Sequence, residues 1–415
     1  MDKETASQPY EIVPDERIAL PLGFKAGGLY CGIRKVERND LGVIWCETEA
    51  AAAAVYTTNL FQAAPIRVTQ DSLAASKGIL RAVVVNSGNA NACTGEQGEA
   101  DAREMRDRLA GRLGVPNEQV AVASTGVIGE LLNMERVRDG IDRLPGALRA
   151  DAAGLNEFCQ AILTTDTVKK SAGVTLKIEG RQVTITGAAK GSGMIHPNMA
   201  TMLGFVMTDA RIGPDLLQEL LREAADATFN MISVDGDTST NDMVLVMASG
   251  LAGHGELTRE HPDFAAFAAG LRHVCEELAK AIARDGEGAT KLIETVVSGA
   301  ESREAARAIA RTIIGSSLVK SAIFGADANW GRIIAAAGRA GVPLNTRTVD
   351  IRLGDILVLK QSRPVAFDEA EALEYLKNSD TVRIFVDLHM GHESATAWGC
   401  DLTYDYVRIN ASYRT

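Results

Sequence analysis

The sequence predicts an α/β protein in which β-sheets stack and helices pack on their outer faces, an αββα-type arrangement, with a smaller α/β domain toward the carboxyl end. Three observations lead there. Short apolar runs rich in valine and isoleucine recur at the spacing of strands, amphipathic runs of helical period follow them, and from about Ser302 the order changes to helix, helix, strands, helix, strand. At 415 residues the chain exceeds the size of about 250–300 residues at which one core stops growing. The expected division is therefore a main domain over residues 1–300, to which residues 390–415 return, and a smaller domain over 301–389.

Taken in order, residues 24–35 (FKAGGLYCGIRK) and 41–56 read as strands punctuated by glycine. A short buried strand at 81–85 (RAVVV) runs into 86–95 (NSGNANACTG), a loop dense in side chains that bond their own backbone, and then into a charged helix ending near Leu113. A second short strand, 120–123, ends in STGVIG at 124–129, where two glycines turn backbone N–H groups toward one point, either as a plain turn or as an anion-binding one. Residues 174–178 and 183–187 alternate apolar and polar around Glu179-Gly180, which specifies a hairpin. Residues 201–208 read as a strand with Thr201 at its first position. Pro214 and Asp215 open a helix with Leu216, Leu217, Leu220, Leu221 and Ala224 on one face, and residues 264–284 repeat the pattern through Phe264, Phe267, Leu271, Cys275, Leu278 and Ile282. The smaller domain takes the helices 302–314, 330–338 and 367–378 and the strands within 348–360 and 382–388.

Composition excludes several functions. A formal charge of -11 argues against a nucleic-acid surface, which needs clustered lysine and arginine. No stretch reaches the roughly 18 uninterrupted apolar residues of a membrane span, and the polar, acidic amino terminus lacks an apolar targeting core, so a cytoplasmic location is expected. The six cysteines are dispersed without the close pairs of zinc sites, which predicts buried reduced thiols. Residues 235–242 (DGDTSTND) begin like a calcium loop, but Thr240 stands at position six and Val246 at position twelve, so a self-bonded acidic turn is expected. His389 and His392 lack a third ligand at usable spacing, and no metal is expected.

The run 190–203 (KGSGMIHPNMATML) carries the chemistry. Its glycines allow sharp bends, its proline fixes the approach, and a hydroxyl residue, Thr201, stands where the loop meets an apolar strand. Thr201 is then either an ordinary strand residue or a nucleophile. As an internal residue it lacks a base, since His196 beside Pro197 reads as structural. A cut before Thr201 supplies one, because a free α-amine has an unperturbed pKa of about 7.7–8.0.

This run resembles the self-cleaving motif of the arginine-biosynthesis bifunctional protein family, the glutamate N-acetyltransferase or ornithine acetyltransferase group. Residues 86–98 (NSGNANACTGEQG), 124–129 (STGVIG), 163–167 (LTTDT), 234–242 (VDGDTSTND), 321–338 and 391–415 are similar to that family's other signature segments. The resemblance implies an N-terminal-nucleophile-like αββα fold, Thr201 as nucleophile, and cleavage of the Ala200-Thr201 bond into an α chain of residues 1–200 and a β chain of residues 201–415. It implies Thr125 and Gly126 as the oxyanion-hole pair and Thr164, Lys190, Thr201, Glu287, Asn410 and Thr415 as substrate-binding positions. The implied reaction moves an acetyl group from N-acetylornithine to glutamate through acetyl-Thr201, without metal or organic cofactor, with acetyl-CoA as a further donor. An α2β2 heterotetramer is implied as the assembly. A self-processing amidase or aminopeptidase of the same fold type is the alternative, with water as acceptor.

Overall fold

The computed structural model describes residues 8–196 and 202–412. A nine-stranded sheet is centred on the strand Leu41–Tyr56. This strand pairs with Phe24–Leu29 and Ile79–Asn89 over its first half and with Met243–Ala248 over its second. Its register slips between Trp45 and Ala50, where an irregularity of this kind bends a strand and increases its twist. Beyond it, Val120–Val127 lies parallel to Ile79–Asn89, while Leu203–Thr208 lies parallel to Met243–Ala248 and antiparallel to Arg181–Lys190.

The bend lets one sheet form two layers. Side chains from both halves share one core: Val83, Val85, Ala121 and Ala123 cluster with Phe205, Met207, Leu245 and Met247. The helix Ala152–Ile162 closes the edge of this core, with Phe158 edge-on to Phe205 at 5.3 Å. Outer faces take four further helices. Val84, Val120 and Val122 pack on Gly95–Leu113 and Met134–Ala147, and Val174, Ile185, Val206 and Val246 pack on Pro214–Ala227 and Phe264–Arg284. The αββα-type reading therefore holds.

The far side of Phe264–Arg284 meets a seven-stranded sheet. In it Leu292–Ala300 pairs in parallel with Thr381–Asp387 and antiparallel with Glu393–Cys400, and Asp350–Leu353 and Ile356–Lys360 extend it outward. One sheet thus joins strands on both sides of residue 300, and the helix Arg303–Ile314 packs on it.

The helices with regular apolar period sit where the sequence puts them, Phe264–Arg284 and Trp330–Gly338 among them. The hairpin Lys170–Ile178 with Arg181–Lys190 turns at Glu179 and Gly180, both at positive φ. The cysteine expectation needs correction. All six are unbridged and Cys46, Cys159, Cys275 and Cys400 are buried, but Cys31 is only partly covered and Cys93 is exposed on a left-handed turn, where the polar loop gives it no core to enter. No described helix is long and apolar enough to cross a membrane.

Candidate active site

Thr201, Ala200 and Thr415 lie outside the described residues. The segments around them converge on one cavity of about 840 Å³ including its mouth. Thr125, Gly126, Thr164, Lys190, Glu287 and Asn410 all line it, and so does Met202, the residue that follows Thr201. Its walls are the ends of Ile79–Asn89, Val120–Val127 and Arg181–Lys190, the start of Leu203–Thr208, and the loop that leads into Met243–Ala248.

Backbone contact explains the glycine-rich motifs on one side. Gly88 and Gly126 face each other across paired strands, and both hold positive φ, +96° and +134°. A Cβ on Gly126 would lie 2.3 Å from the Gly88 carbonyl carbon, so only glycine permits this approach. Ser124 and Asn86 bond at 2.5 Å, and the Asn241 amide donates to the carbonyls of Ala90, at 2.6 Å, and Ser124, at 2.9 Å. Three polar runs far apart in sequence are tied together here.

Among the described residues, Lys190 is the cation that lines the cavity. Its ammonium donates to the Thr164 hydroxyl at 2.7 Å and to the Thr125 hydroxyl at 3.3 Å, with Asp166 4.0 Å away. Burial pushes its pKa below the ordinary lysine value, and Asp166 opposes that shift. Thr125 and Thr164 thus accept from one ammonium, and a hydroxyl that accepts through its oxygen still has its own proton to donate.

Behind Lys190 lies a group that sequence reasoning missed. Lys170 is fully buried and bridges Asp166, at 2.7 Å, and Asp285, at 2.5 Å. Asp166 also accepts the N–H of Gly191 at 2.7 Å and of Thr164 at 2.9 Å. Asp285 takes the Thr167 N–H at 3.0 Å and its hydroxyl. Burial works against ionising Asp166, yet the charges of Lys190 and Lys170 and these hydrogen bonds outweigh it and hold its carboxyl below the usual range. Asp166 stands within LTTDT, but nothing local to that run foretells a lysine and a second carboxylate buried against it.

The glycine loop itself is pinned from two sides. Asp235 accepts the N–H groups of Met194 at 2.7 Å and Ile195 at 2.8 Å, and the Ser192 hydroxyl donates to the Asp285 carbonyl at 2.6 Å. The acidic turn at 235–242 is therefore bonded to the loop before Thr201 as well as to itself, through the Asp237 N–H on Asp235. A Cβ on Gly193 would stand 2.4 Å from the Glu287 carboxyl carbon, so the glycine makes room for that side chain. Glu287 is 6% exposed and accepts the Asn410 amide at 2.7 Å. Asn410 comes from the helix Tyr404–Ser412, none of whose residues is buried. The His196 ring contacts Ser233 at 3.0 Å and Arg311 at 3.3 Å and lines a hollow separate from the cavity. His389 pairs with Asp350 at 3.0 Å and lies 3.6 Å from Asp387.

A family model, the ArgJ family, matches residues 25–415. The chain belongs to the ArgJ family. The arginine biosynthesis bifunctional protein ArgJ of Geobacillus kaustophilus is 58% identical over 414 residues, covering all of this chain and 99% of that protein. The protein of the same name from Bacillus subtilis is 55% identical over 96% of each chain. A crystal structure of the arginine biosynthesis bifunctional protein from Bacillus halodurans, 60% identical, aligns with a TM-score of 0.50 over 50% of this chain and 98% of that one.

Proposed function

We propose that this chain is an acetyltransferase of arginine biosynthesis that moves an acetyl group from N-acetylornithine to glutamate through an acetyl ester on Thr201. The observation that carries the reading is the convergence of Lys190, Thr125, Thr164, Glu287 and Asn410 on one cavity whose wall includes Met202. Family membership and the relatives' name, arginine biosynthesis bifunctional protein, support it.

The nucleophile forms first. The Thr201 hydroxyl attacks the Ala200 carbonyl, the acyl group passes from nitrogen to oxygen, and water hydrolyses the ester, leaving chains 1–200 and 201–415. The Bacillus halodurans chain, 98% of which matches half of this one, has the length that a chain beginning or ending near residue 200 would have. Thr201 then carries its own base, its free α-amine.

In the first half-reaction Thr201 Oγ attacks the acetyl carbon of N-acetylornithine, and its proton passes through the α-amine to the leaving ornithine nitrogen. The Thr125 hydroxyl and the Gly126 N–H stabilise the oxyanion. Glutamate then takes the acetyl group by the reverse path. Lys190 meets the substrate carboxylate and Glu287, oriented by Asn410, meets the distant ammonium; Thr164 and Thr415 complete the binding positions. No cofactor enters these steps. Acetyl-CoA serves as a second donor, which the word bifunctional in the relatives' names supports. The processed enzyme is a cytoplasmic α2β2 heterotetramer.

The deciding experiment follows labelled acetyl from N-acetylornithine in the presence of glutamate. Labelled N-acetylglutamate is expected; labelled acetate alone would identify an amidase instead. Omitting N-acetylornithine and adding acetyl-CoA tests the second donor.

A further inference from the structure

Asp242 is a carboxyl group that the steps above leave unused. It precedes the strand Met243–Ala248, which runs parallel to Leu203–Thr208 with Met243 opposite Leu203. The Met243 N–H donates to the Met202 carbonyl at 2.9 Å, and the Met202 N–H in turn binds the Asp242 carboxyl. Asp242 is therefore locked to the residue covalently joined to Thr201. Three bonds separate the nitrogens of Met202 and Thr201, a span of at most about 3.7 Å. The carboxyl is 2% exposed and lines the cavity. The Ser239 hydroxyl hydrogen-bonds to the carboxyl and the Thr57 hydroxyl, which donates to the Ser239 carbonyl at 2.8 Å, lies beside it, yet its Oδ2 has no hydrogen-bond partner among the described residues. A buried acceptor left open costs about 1–3 kcal/mol, and such an atom calls for an explanation.

We propose that Asp242 carries the proton that the nitrogen of the Ala200-Thr201 bond takes up as that bond breaks, and that it accepts the Thr201 hydroxyl proton in exchange. This rests on the self-cleavage reading above. The step balances: the C–O bond to Thr201 Oγ forms, the C–N bond to Thr201 breaks, the nitrogen gains one proton from the carboxylic acid, and the hydroxyl proton restores the acid. A carboxyl group that is neutral at working pH can do this, whereas an exposed one is ionised. Burial raises the Asp242 pKa well above the usual carboxylate value, against the Ser239 hydroxyl and the charge of Lys190. Asp235 and Asp237 from its own loop and Glu287 across the cavity line the same space.

The test uses the full-length chain made by cell-free translation, with cleavage of the 44.1 kDa precursor followed over time. Asp242→Asn keeps the shape and loses the exchangeable acid, and is expected to slow cleavage by about 100-fold or more. The unmodified chain should cleave more slowly as pH rises through the elevated Asp242 titration, because the acid form is lost on the alkaline side. The asparagine variant should show no such fall. Normal cleavage of Asp242→Asn would overturn the proposal, and so would an unmodified chain whose rate does not fall on the alkaline side, which decides the matter even if the variant fails to fold. Thr201→Ala separates the two levels: an uncut alanine variant beside a normally cut Asp242→Asn removes only the proton role, while a cut alanine variant removes the self-cleavage reading itself.

Discussion

Two clusters of buried charge lie side by side in this molecule and follow opposite rules. In the first, Lys170 is held between Asp166 and Asp285, and the remaining carboxylate positions take backbone N–H groups and a threonine hydroxyl. In the second, among the described residues, Lys190 rests on two hydroxyls with its nearest carboxylate 4.0 Å off, Glu287 holds only the Asn410 amide and its own backbone contact to Ser192, and one Asp242 oxygen is open. The closed cluster spends its hydrogen-bonding capacity on holding the glycine loop. The open one leaves capacity that a charged substrate and a reacting bond can use. Loop and cavity meet because Asp166 belongs to both neighbourhoods, binding Gly191 N–H and facing Lys190.

Changes to the two clusters should therefore fail in different ways. The largest effect is expected at the nucleophile itself: Thr201→Ala should abolish both cleavage and acetyl transfer while leaving a folded chain, read by intact mass and by the labelled-acetyl assay. In the closed cluster, Lys170→Met leaves two carboxylates buried without their cation and should cost about 3–5 kcal/mol of stability, seen as a lower denaturant midpoint. Acid should expose the same dependence. The Asp166 carboxyl titrates below its unfolded value, so its contribution is complete above the ordinary carboxylate range and is lost as pH falls through the folded one. Asp166→Asn should flatten that part of the acid unfolding curve.

The open cluster should show the reverse pattern, with activity changing more than stability. Thr125→Val removes one hydroxyl from the proposed oxyanion site and should lower kcat by about two to three orders of magnitude with little change in the melting temperature. Glu287→Gln should raise KM for N-acetylornithine by about 10–100-fold, as loss of a charge-assisted hydrogen bond would, with a smaller change in kcat. Comparable stability losses in Thr125→Val and Lys170→Met would erase the distinction between the clusters.

The sequence carried the local half of this account. An apolar stripe of helical period announces Phe264–Arg284, and Glu179-Gly180 between alternating strands announces the hairpin. The glycines of STGVIG announce a turn, and the structure shows what presses on it, Gly88 against Gly126. Pairing over distance was not legible. Leu292–Ala300 joins strands from beyond residue 350, because register in a sheet is set by partners that the strand's own residues do not name. The helix Met134–Ala147 was hidden by Pro145, which stands in its last turn. Lys170 meets Asp285 across 115 positions, and no spacing rule connects them. Asp242 was visible only as part of an acidic turn; its burial, which gives it a different chemistry, appears once Met202 and Ser239 are packed around it.

Mass spectrometry of the purified protein, incubated with N-acetylornithine and no glutamate, tests the nucleophile most directly. Two chains are expected, with one acetyl group on the chain that begins at Thr201, and that acetyl should disappear when glutamate is added. A single uncut chain, or an acetyl group that is absent from Thr201 while N-acetylornithine is consumed, would contradict the account.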